Sequence, residues 1–364
     1  MASSRELREL VVLGLGAVTS IGPTVASAAS AFRAGIVRSH PLRHFTGFDG
    51  DTEGNPITGR PVTGFTDGFA QFGLWLRLAL GALDDLRCQL DADADQPSAW
   101  QGTALIACLP ALTPERFALP TDDVAGLLRE AFLDPLQQIA GLSFAQPHVH
   151  TCFGHCGAGQ AVHLARQLLA AEPKLERVLL VGSDSTIDAQ SLGWLADQGR
   201  LKTAENPVGL IPGEAGIAVL VEPPRSAHGG RPLGRLSPAT ISAGLGPEAA
   251  NIDLGRQLGA TVQEALRSAD LTTGADLYVD LNGETWRTEC WGIALTCMQK
   301  ALGNHDLRTV IPGTSFGETG AASGLLALAL ATRAFVRGHA RSKTAAVVSV
   351  DELRATSAFL VSGA

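Results

Sequence analysis

Short apolar runs alternate along the chain with longer segments in which apolar residues recur at the spacing of a helix. The apolar runs predict strands at 9–13, 103–108, 149–151, 177–181, 216–222, 276–281, 309–312, 345–350 and 358–361. The periodic segments predict helices at 24–34, 71–90, 121–141, 157–171, 252–269, 288–302 and 320–337. Strands that alternate with helices are typical of α/β domains, in which helices cover a mainly parallel sheet.

Two segments interrupt this alternation. Gly14 and Gly16 follow the first predicted strand, and this pair predicts a tight turn before the first helix. Residues 37–70 are rich in Gly, Pro, Thr and Asp and show no periodicity, which predicts an irregular surface excursion.

The best candidate for a domain boundary is the segment 223–235, which holds three Pro, three Gly and three Arg. Strand and helix patterns resume beyond it. We therefore expect an N-terminal half at 1–228 and a C-terminal half at 229–364, each rich in βαβ units.

Composition excludes several classes of function. The 364 residues carry 28 Lys and Arg against 36 Asp and Glu, a net charge of −8, and aromatic residues make up only 5%. Nucleic-acid binding is disfavoured because it requires a basic face. Neither a targeting segment nor an uninterrupted apolar run long enough for a membrane span is visible, and six unpatterned cysteines are typical of a reducing compartment. We expect a cytoplasmic protein.

The sequence predicts neither a cofactor nor a metal. A dinucleotide-binding turn after the first strand would need glycine at position 19, where the chain has Thr19. Four histidines crowd one segment (His148, His150, His155 and His163), but no further ligands at metal-binding spacing accompany them.

A glycine-rich turn with two cysteines separates the predicted strand at 149–151 from the helix at 157–171. A thiolate at such a helix start would gain from the helix dipole, and backbone N–H groups there can hold an oxyanion. Cys152 and Cys156 are therefore candidate nucleophiles, although a packing turn with small buried thiols explains the segment equally well.

Two longer segments, 11–22 and 199–216, resemble the opening strand and the Gly-acid-Gly region of the β-ketoacyl synthase branch of the thiolase superfamily. This resemblance implies a thiolase-like fold of two similar halves in five layers, α-β-α-β-α. Relatives are dimers that pair edge strands, here around 148–151. A homodimer, or a heterodimer with another ketosynthase-like chain, is therefore expected, and acyl-carrier protein or acyl-CoA is a further candidate partner.

The same resemblance implies a cysteine and two histidines for acyl condensation, and both histidine positions are altered. Asn282 stands where the first histidine is expected, and it can donate a hydrogen bond but cannot shuttle a proton. Glu318 stands in the second position, where a carboxylate would repel the enolate oxyanion. Thr285 and Gly317, which flank these positions, are implied substrate-binding residues together with His155.

The nucleophile position itself has two readings. An ungapped count from Gly182 assigns it to Cys156, but this turns Arg166 towards the core. A shift by two residues makes the inward stripe of the helix apolar and assigns the position to Gly154, which has no side chain to react. We favour Gly154. Cys152 lies too far upstream of the helix.

The loop at 351–356, where relatives carry a glycine-rich gate, has no glycine. These alterations predict a ketosynthase-like protein that lacks condensing activity and acts as an accessory, partner-binding or adaptor protein. The alternative is an acyl-thioester transferase of the 3-oxoacyl synthase type that uses Cys156, or a decarboxylase aided by Asn282. A sensor of acyl-CoA or acyl-carrier protein is a weaker third hypothesis.

Overall fold

The computed structural model describes residues 9–47, 55–90, 96–119, 122–145, 148–224, 231–267, 269–303 and 305–364. Within these ranges the strands are β1 (Leu10–Thr19), β2 (His40–Gly47), β3 (Asn55–Gly59), β4 (Thr103–Leu109), β5 (Val149–Phe153), β6 (Arg177–Ser185), β7 (Glu214–Glu222), β8 (Gly234–Leu236), β9 (Thr240–Ser242), β10 (Ala275–Val279), β11 (Leu307–Val310), β12 (Thr344–Val350) and β13 (Thr356–Ser362). The helices are α1 (Val25–Arg33), α2 (Gln71–Arg87), α3 (Val124–Leu128), α4 (Asp134–Ala140), α5 (Gly157–Ala171), α6 (Ala189–Asp197), α7 (Asn251–Leu266), α8 (Thr285–Leu302), α9 (Gly313–Phe316) and α10 (Ser323–Val336).

The main sheet contains two sets of five strands, and both sets have the same strand order. The N-terminal strands run β5-β4-β6-β7-β1 and the C-terminal strands run β11-β10-β12-β13-β8, and pairing of β1 with β8 joins the two sets. In each set three neighbouring strands are parallel and the last two are added antiparallel. The predicted α/β fold with two similar halves is confirmed. The predicted boundary at residue 228 lies outside the described residues and stays a prediction.

Helices and sheets stack in five layers. One apolar cluster joins α1, α5 and α10 to the inner faces of both strand sets. A second cluster packs α2, α3 and α4 on the outer face of the N-terminal set, and a third packs α7 and α8 on the outer face of the C-terminal set. Helices α5 and α10 both lie in the middle layer, and their first turns meet, since a Cβ on Gly324 would lie 2.5 Å from the Cβ of Ala158.

The turn predicted at Gly14 and Gly16 is wrong, since β1 continues through both residues. A Cβ on Gly16 would lie 2.0 Å from the carbonyl oxygen of Ala82 and 2.6 Å from the backbone nitrogen of Leu86. Glycine therefore allows α2 to lie directly on the strand, and the pair serves close packing rather than a turn.

The irregular excursion predicted for 37–70 is also corrected in part. Its described residues include β2 and β3, which pair antiparallel as a separate two-stranded sheet. Each strand contains a proline, Pro41 or Pro56, and such strands lack the alternation by which strands are recognised. Helix α6 and the three-residue strands β8 and β9 were not predicted.

The helix predicted at 157–171 is confirmed as α5, and its inward stripe is apolar. Ala161, Val162 and Ala165 are buried, whereas Gln167 is exposed. In the part of the chain that the structure describes, no helix has the length and apolar character that a membrane crossing requires.

Candidate functional site

Three turns meet at the end of the sheets where α5 and α10 begin. They are the turn between β5 and α5, the turn between β10 and α8, and the turn before α10. Asn282 Nδ2 lies 2.6 Å from Glu318 Oε2, and His155 Nε2 lies 3.0 Å from Glu318 Oε1. The structure thus brings together His155, Asn282 and Glu318, which the sequence placed in one candidate site.

Gly154 forms the elbow between β5 and α5. Its φ is +68°, in the left-handed region that favours glycine, and its N–H donates to the carbonyl of Leu109 at 3.0 Å. A Cβ at this position would meet only the Cβ of Asp351, at 3.8 Å, so a side chain would have room. Gly154 lines the cavity of the site, where a strand-to-helix elbow would present a nucleophile.

Cys156 lies two residues further on and is fully buried. Its Sγ points to the backbone carbonyls of Ala355 at 3.4 Å and Ser349 at 3.6 Å. Burial raises the pKa of this thiol well above its usual value, and Asp351 raises it further. Burial also raises the pKa of Cys152 to about 12. Neither thiol has the electropositive, partly exposed surroundings of a reactive cysteine.

His155 and Glu318 form a buried ion pair. Burial alone would raise the pKa of Glu318, but the charge and hydrogen bond of His155, together with Arg287, hold it well below its ordinary range. Burial and Arg287 would lower the pKa of His155, but Glu318 outweighs them and the pKa is raised. Glu318 Oε1 also accepts the N–H of Gly320 at 2.7 Å, so the carboxylate is held ionised.

Both the nitrogen and the oxygen of the Asn282 side-chain amide form hydrogen bonds within the protein. Its Nδ2 donates to Glu318 and, at 2.8 Å, to Glu284 Oε2, while its Oδ1 accepts the N–H of Glu284 at 3.1 Å. Both amide N–H groups are therefore committed to carboxylates. No donor of the Asn282 side chain remains for a carbonyl oxygen of a substrate.

Two arginines that the sequence reading missed close this arrangement. Arg200 holds Glu284 with two hydrogen bonds, of 2.6 and 2.9 Å, and Glu352 with a third of 2.8 Å. Arg287 is fully buried, donates to the carbonyl of Val350 at 2.7 Å and lies 3.3 Å from Asp280. Arg287 also lies 3.7 Å from both Glu284 and Glu352.

We call these groups the elbow network: His155, Arg200, Asp280, Asn282, Glu284, Arg287, Glu318 and Glu352. Glu352 belongs to the loop between β12 and β13, so the two arginines fix that loop against the site. Within the loop, Asp351 accepts the N–H of Ala355 at 2.8 Å. The loop is therefore held in place by charge pairs as well as by its own hydrogen bonds.

The other two predicted residues lie at the margin. Thr285 is exposed and begins α8, and no described contact joins its side chain to the elbow network. Gly317 has a φ of +73°, and a Cβ there would lie 2.7 Å from the carbonyl oxygen of Ile211. Gly317 thus permits close backbone packing.

A cavity of about 160 Å³ opens beside the elbow. It is lined by Gly154, His155, Glu318, Arg116 and Arg200 together with apolar groups, namely Pro110, Ala111, Trp194, Leu195, Leu210 and Leu353. Arg116 is itself paired with buried Asp184 at 3.0 Å. The cavity can take a small ligand, but no cysteine is among its described lining residues, and each acid or base in that lining is paired with an opposite charge.

Solved ketosynthases match the structure along almost the whole chain, at low sequence identity. An oxazolomycin ketosynthase domain from Streptomyces albus aligns over 98% of this chain and 74% of its own, with 14% identity and a TM-score of 0.74. The ishigamide ketosynthase/chain length factor aligns over 97% and 99%, with 18% identity and a TM-score of 0.67.

A third match is a complex described as a type II polyketide synthase acyl-carrier protein with its ketosynthase bound to the hexaketide. It aligns over 98% of this chain and 100% of its own, with 15% identity and a TM-score of 0.71. No family model and no curated protein matches the sequence. The chain has the thiolase-like ketosynthase fold, which confirms the fold that the resemblance implied.

Proposed function

We propose that this ketosynthase-like chain does not condense acyl units and serves as an accessory protein that binds a partner. The elbow between β5 and α5 carries this proposal. Gly154 occupies it without a side chain, and the neighbouring Cys156 thiol is buried beneath the turn. Acyl transfer to the protein requires a nucleophile that the substrate can reach, and the elbow offers none.

The rest of the site supports the same proposal. Decarboxylative condensation needs donors directed at a developing enolate oxyanion. Glu318 places a stable negative charge at this point, and both N–H groups of Asn282 are held by carboxylates. The elbow network therefore opposes the charge that condensation would develop.

The partner interface that we propose is the open edge of β5. Leu105 N donates to His148 O and Gly154 N donates to Leu109 O, so the even-numbered residues face β4. The N–H groups of Val149 and Thr151 consequently point to the open edge, where a second strand can pair with them. A ketosynthase/chain length factor and a ketosynthase with its acyl-carrier protein are among the matched structures, so a ketosynthase-like chain is the partner we favour.

Intact-protein mass spectrometry tests the catalytic part of the proposal. Wild type and Cys156→Ala are incubated with a set of acyl-CoAs and with cerulenin, beside an active ketosynthase as the positive control. We expect no adduct on either form of this protein. An adduct on wild type that disappears in Cys156→Ala would establish Cys156 as a nucleophile and overturn the proposal.

Analytical ultracentrifugation tests the interface. We expect a species of about twice the 37.8 kDa chain mass, or a complex when a ketosynthase-like partner is present. Thr151→Pro removes an outward N–H while leaving the ladder to β4 intact, and it should return the chain to a monomer. Leu307→Pro, at the start of the opposite edge strand β11, is the matched control. Equal association of the two variants would contradict an interface on β5.

A further inference from the structure

A second concentration of charge lies at the other end of α10, far along the helix from the elbow network. A groove of about 450 Å³ runs between the last turns of α1 and α10. We call it the basic groove, and its lining consists of Ala29, Ser30, Arg33, Ala34, Arg333, Arg337 and His339. Every ionisable side chain in this lining is a base.

The bases are not needed to cap the helices. Helix α1 ends with N–H groups of Gly35 and Ile36 donating to the carbonyls of Phe32 and Ala31, at 2.9 and 3.0 Å. This pattern is a Schellman motif with its glycine in the left-handed region, at φ +68°.

Helix α10 ends in the same way. Gly338 and His339 donate to the carbonyls of Phe335 and Ala334, both at 3.0 Å, and the φ of Gly338 is +65°. Backbone N–H groups therefore satisfy the carbonyls of Ala31 and Phe32 in α1 and of Ala334 and Phe335 in α10, without the arginine side chains.

Among the described residues no carboxylate forms an ion pair with a basic side chain of the groove. Within the described ranges, no ion pair or side-chain hydrogen bond is formed by Arg33, Arg333 or Arg337. Arg333 Nε and His339 Nδ1 are shielded from solvent and have no hydrogen-bond partner there. Two buried polar atoms without a partner mark a place where an acceptor is missing.

The charges in the groove also act on one another. Burial and then Arg337 lower the pKa of Arg333, while burial, Arg33 and Arg333 lower the pKa of His339. Asp85 is the acid that acts on Arg333, but its Oδ2 accepts the backbone N–H groups of Ala17 and Val25, at 2.9 and 2.7 Å. An anion in the groove would relieve this repulsion.

Acidic residues are absent from the parts of the sequence that form the groove. The chain has a net charge of −8, yet neither 10–48 nor 319–350 contains a single Asp or Glu. These two segments contain α1 and α10 and thus meet at the groove. The absence of acids from both segments keeps the local potential positive on an acidic protein.

We propose that the basic groove binds the phosphate or diphosphate group of a small molecule. Guanidinium groups present planar pairs of donors that match phosphate oxygens, and the imidazole of His339 adds a further donor. The groove is larger than a single phosphate group requires and has the size of a small-molecule site, so the phosphate belongs to a larger molecule.

Isothermal titration calorimetry with inorganic pyrophosphate, at constant ionic strength, tests this proposal. We expect one saturable site on wild type. Arg337→Gln and Arg333→Gln should each weaken binding by about ten-fold or more, because each removes a charge-assisted hydrogen bond. Arg337 is exposed, so its variant tests the site even if substitution of half-buried Arg333 impairs folding.

Arg267→Gln is the matched control, since it removes an exposed arginine from the surface of α7, where Arg267 pairs with Glu264. Binding should be unchanged in this variant. The proposal is overturned if wild type shows no saturable binding, or if the control weakens binding as much as Arg337→Gln does, because the attraction would then come from net charge alone.

Discussion

Helix α10 begins in one cluster of charge and ends beside another, and the two clusters differ in how their charges are neutralised. In the elbow network every charged side chain has an opposite charge within 4.0 Å. In the basic groove every ionisable side chain is a base, and two of the polar atoms are buried without partners. The first cluster is complete without a ligand, and the second is not.

This difference bears on where binding should be sought. The elbow network occupies the place where the fold would carry catalysis, but its charges are used to hold the turns and the loop at 351–356 together. Buried ion networks of this kind contribute to a defined arrangement and lose much when one member is removed. The groove, by contrast, should gain stability when an anion arrives.

The largest effect is expected from Arg287→Ala. Its removal leaves buried Asp280 without its cation and leaves Glu284 and Glu352 with Arg200 alone, and breaking a buried pairing costs about 3–5 kcal/mol. Urea unfolding followed by circular dichroism measures the loss. Arg267→Ala, which breaks an exposed pair on α7, should change the free energy of unfolding by less than about 0.5 kcal/mol. Similar values for both variants would show that the network is not a source of stability.

The next effect concerns the pair of His155 and Glu318 and depends on pH. The pKa of Glu318 is lowered on folding, so its contribution is present above the ordinary value of 4.5 and is lost as pH falls. The pKa of His155 is raised, so its contribution is complete below 6.5 and is lost as pH rises through the folded value. The free energy of unfolding of wild type should therefore exceed that of Glu318→Gln most strongly between about pH 4.5 and pH 6.5, by about 2 kcal/mol.

Urea unfolding of both proteins, with about one urea titration at each pH unit from pH 4 to 9, measures this difference. Buried carboxyls on which neither His155 nor Glu318 acts, such as Glu214, titrate in both proteins and cancel in the comparison. A difference that stays constant across the range would mean that the two groups do not share a proton-linked interaction.

A smaller effect is expected at the elbow. Gly154→Cys places a thiol where the cavity can reach it, and the left-handed backbone should make the substitution cost about 1 kcal/mol. Peptide mapping after brief alkylation should find the label on residue 154 and not on Cys156. Gly141 has a φ of +65°, and an added Cβ there would have no other atom within 4 Å, so Gly141→Ala is the control for the backbone cost alone. Preferential labelling of Cys156 would assign the elbow position to that residue instead.

The sequence allowed most of the fold to be predicted because apolar runs and helical spacing are local signals. Helix α5 was located at its observed bounds, and its inward stripe was correct. The role of Gly16 could not be found in this way, because it depends on Ala82 and Leu86, which only the folded chain brings near. A glycine that permits packing and a glycine that forms a turn look identical in sequence.

The candidate site was predicted only in part for the same reason. Asn282 and Glu318 could be located from their positions in turns, and the structure joins them. Arg200 reaches Glu284 across 84 residues of sequence, and Arg287 looks like an ordinary polar residue in the first turn of a helix. No local pattern distinguishes a buried arginine that neutralises carboxylates from one that faces solvent.

The smallest effect is expected in the basic groove and completes the contrast with Arg287. Arg337→Gln relieves the repulsion between Arg337 and Arg333, which stabilises the fold. It also removes a favourable positive charge from the C-terminal end of α10, which destabilises the fold by a similar amount. In phosphate-free buffer the free energy of unfolding should therefore stay within about 0.5 kcal/mol of wild type. With saturating pyrophosphate, wild type should become more stable and Arg337→Gln much less so. Thermal unfolding with and without pyrophosphate measures the stability of both proteins in both conditions. A large loss of stability in Arg337→Gln without the anion would mean that Arg337 already has a structural partner.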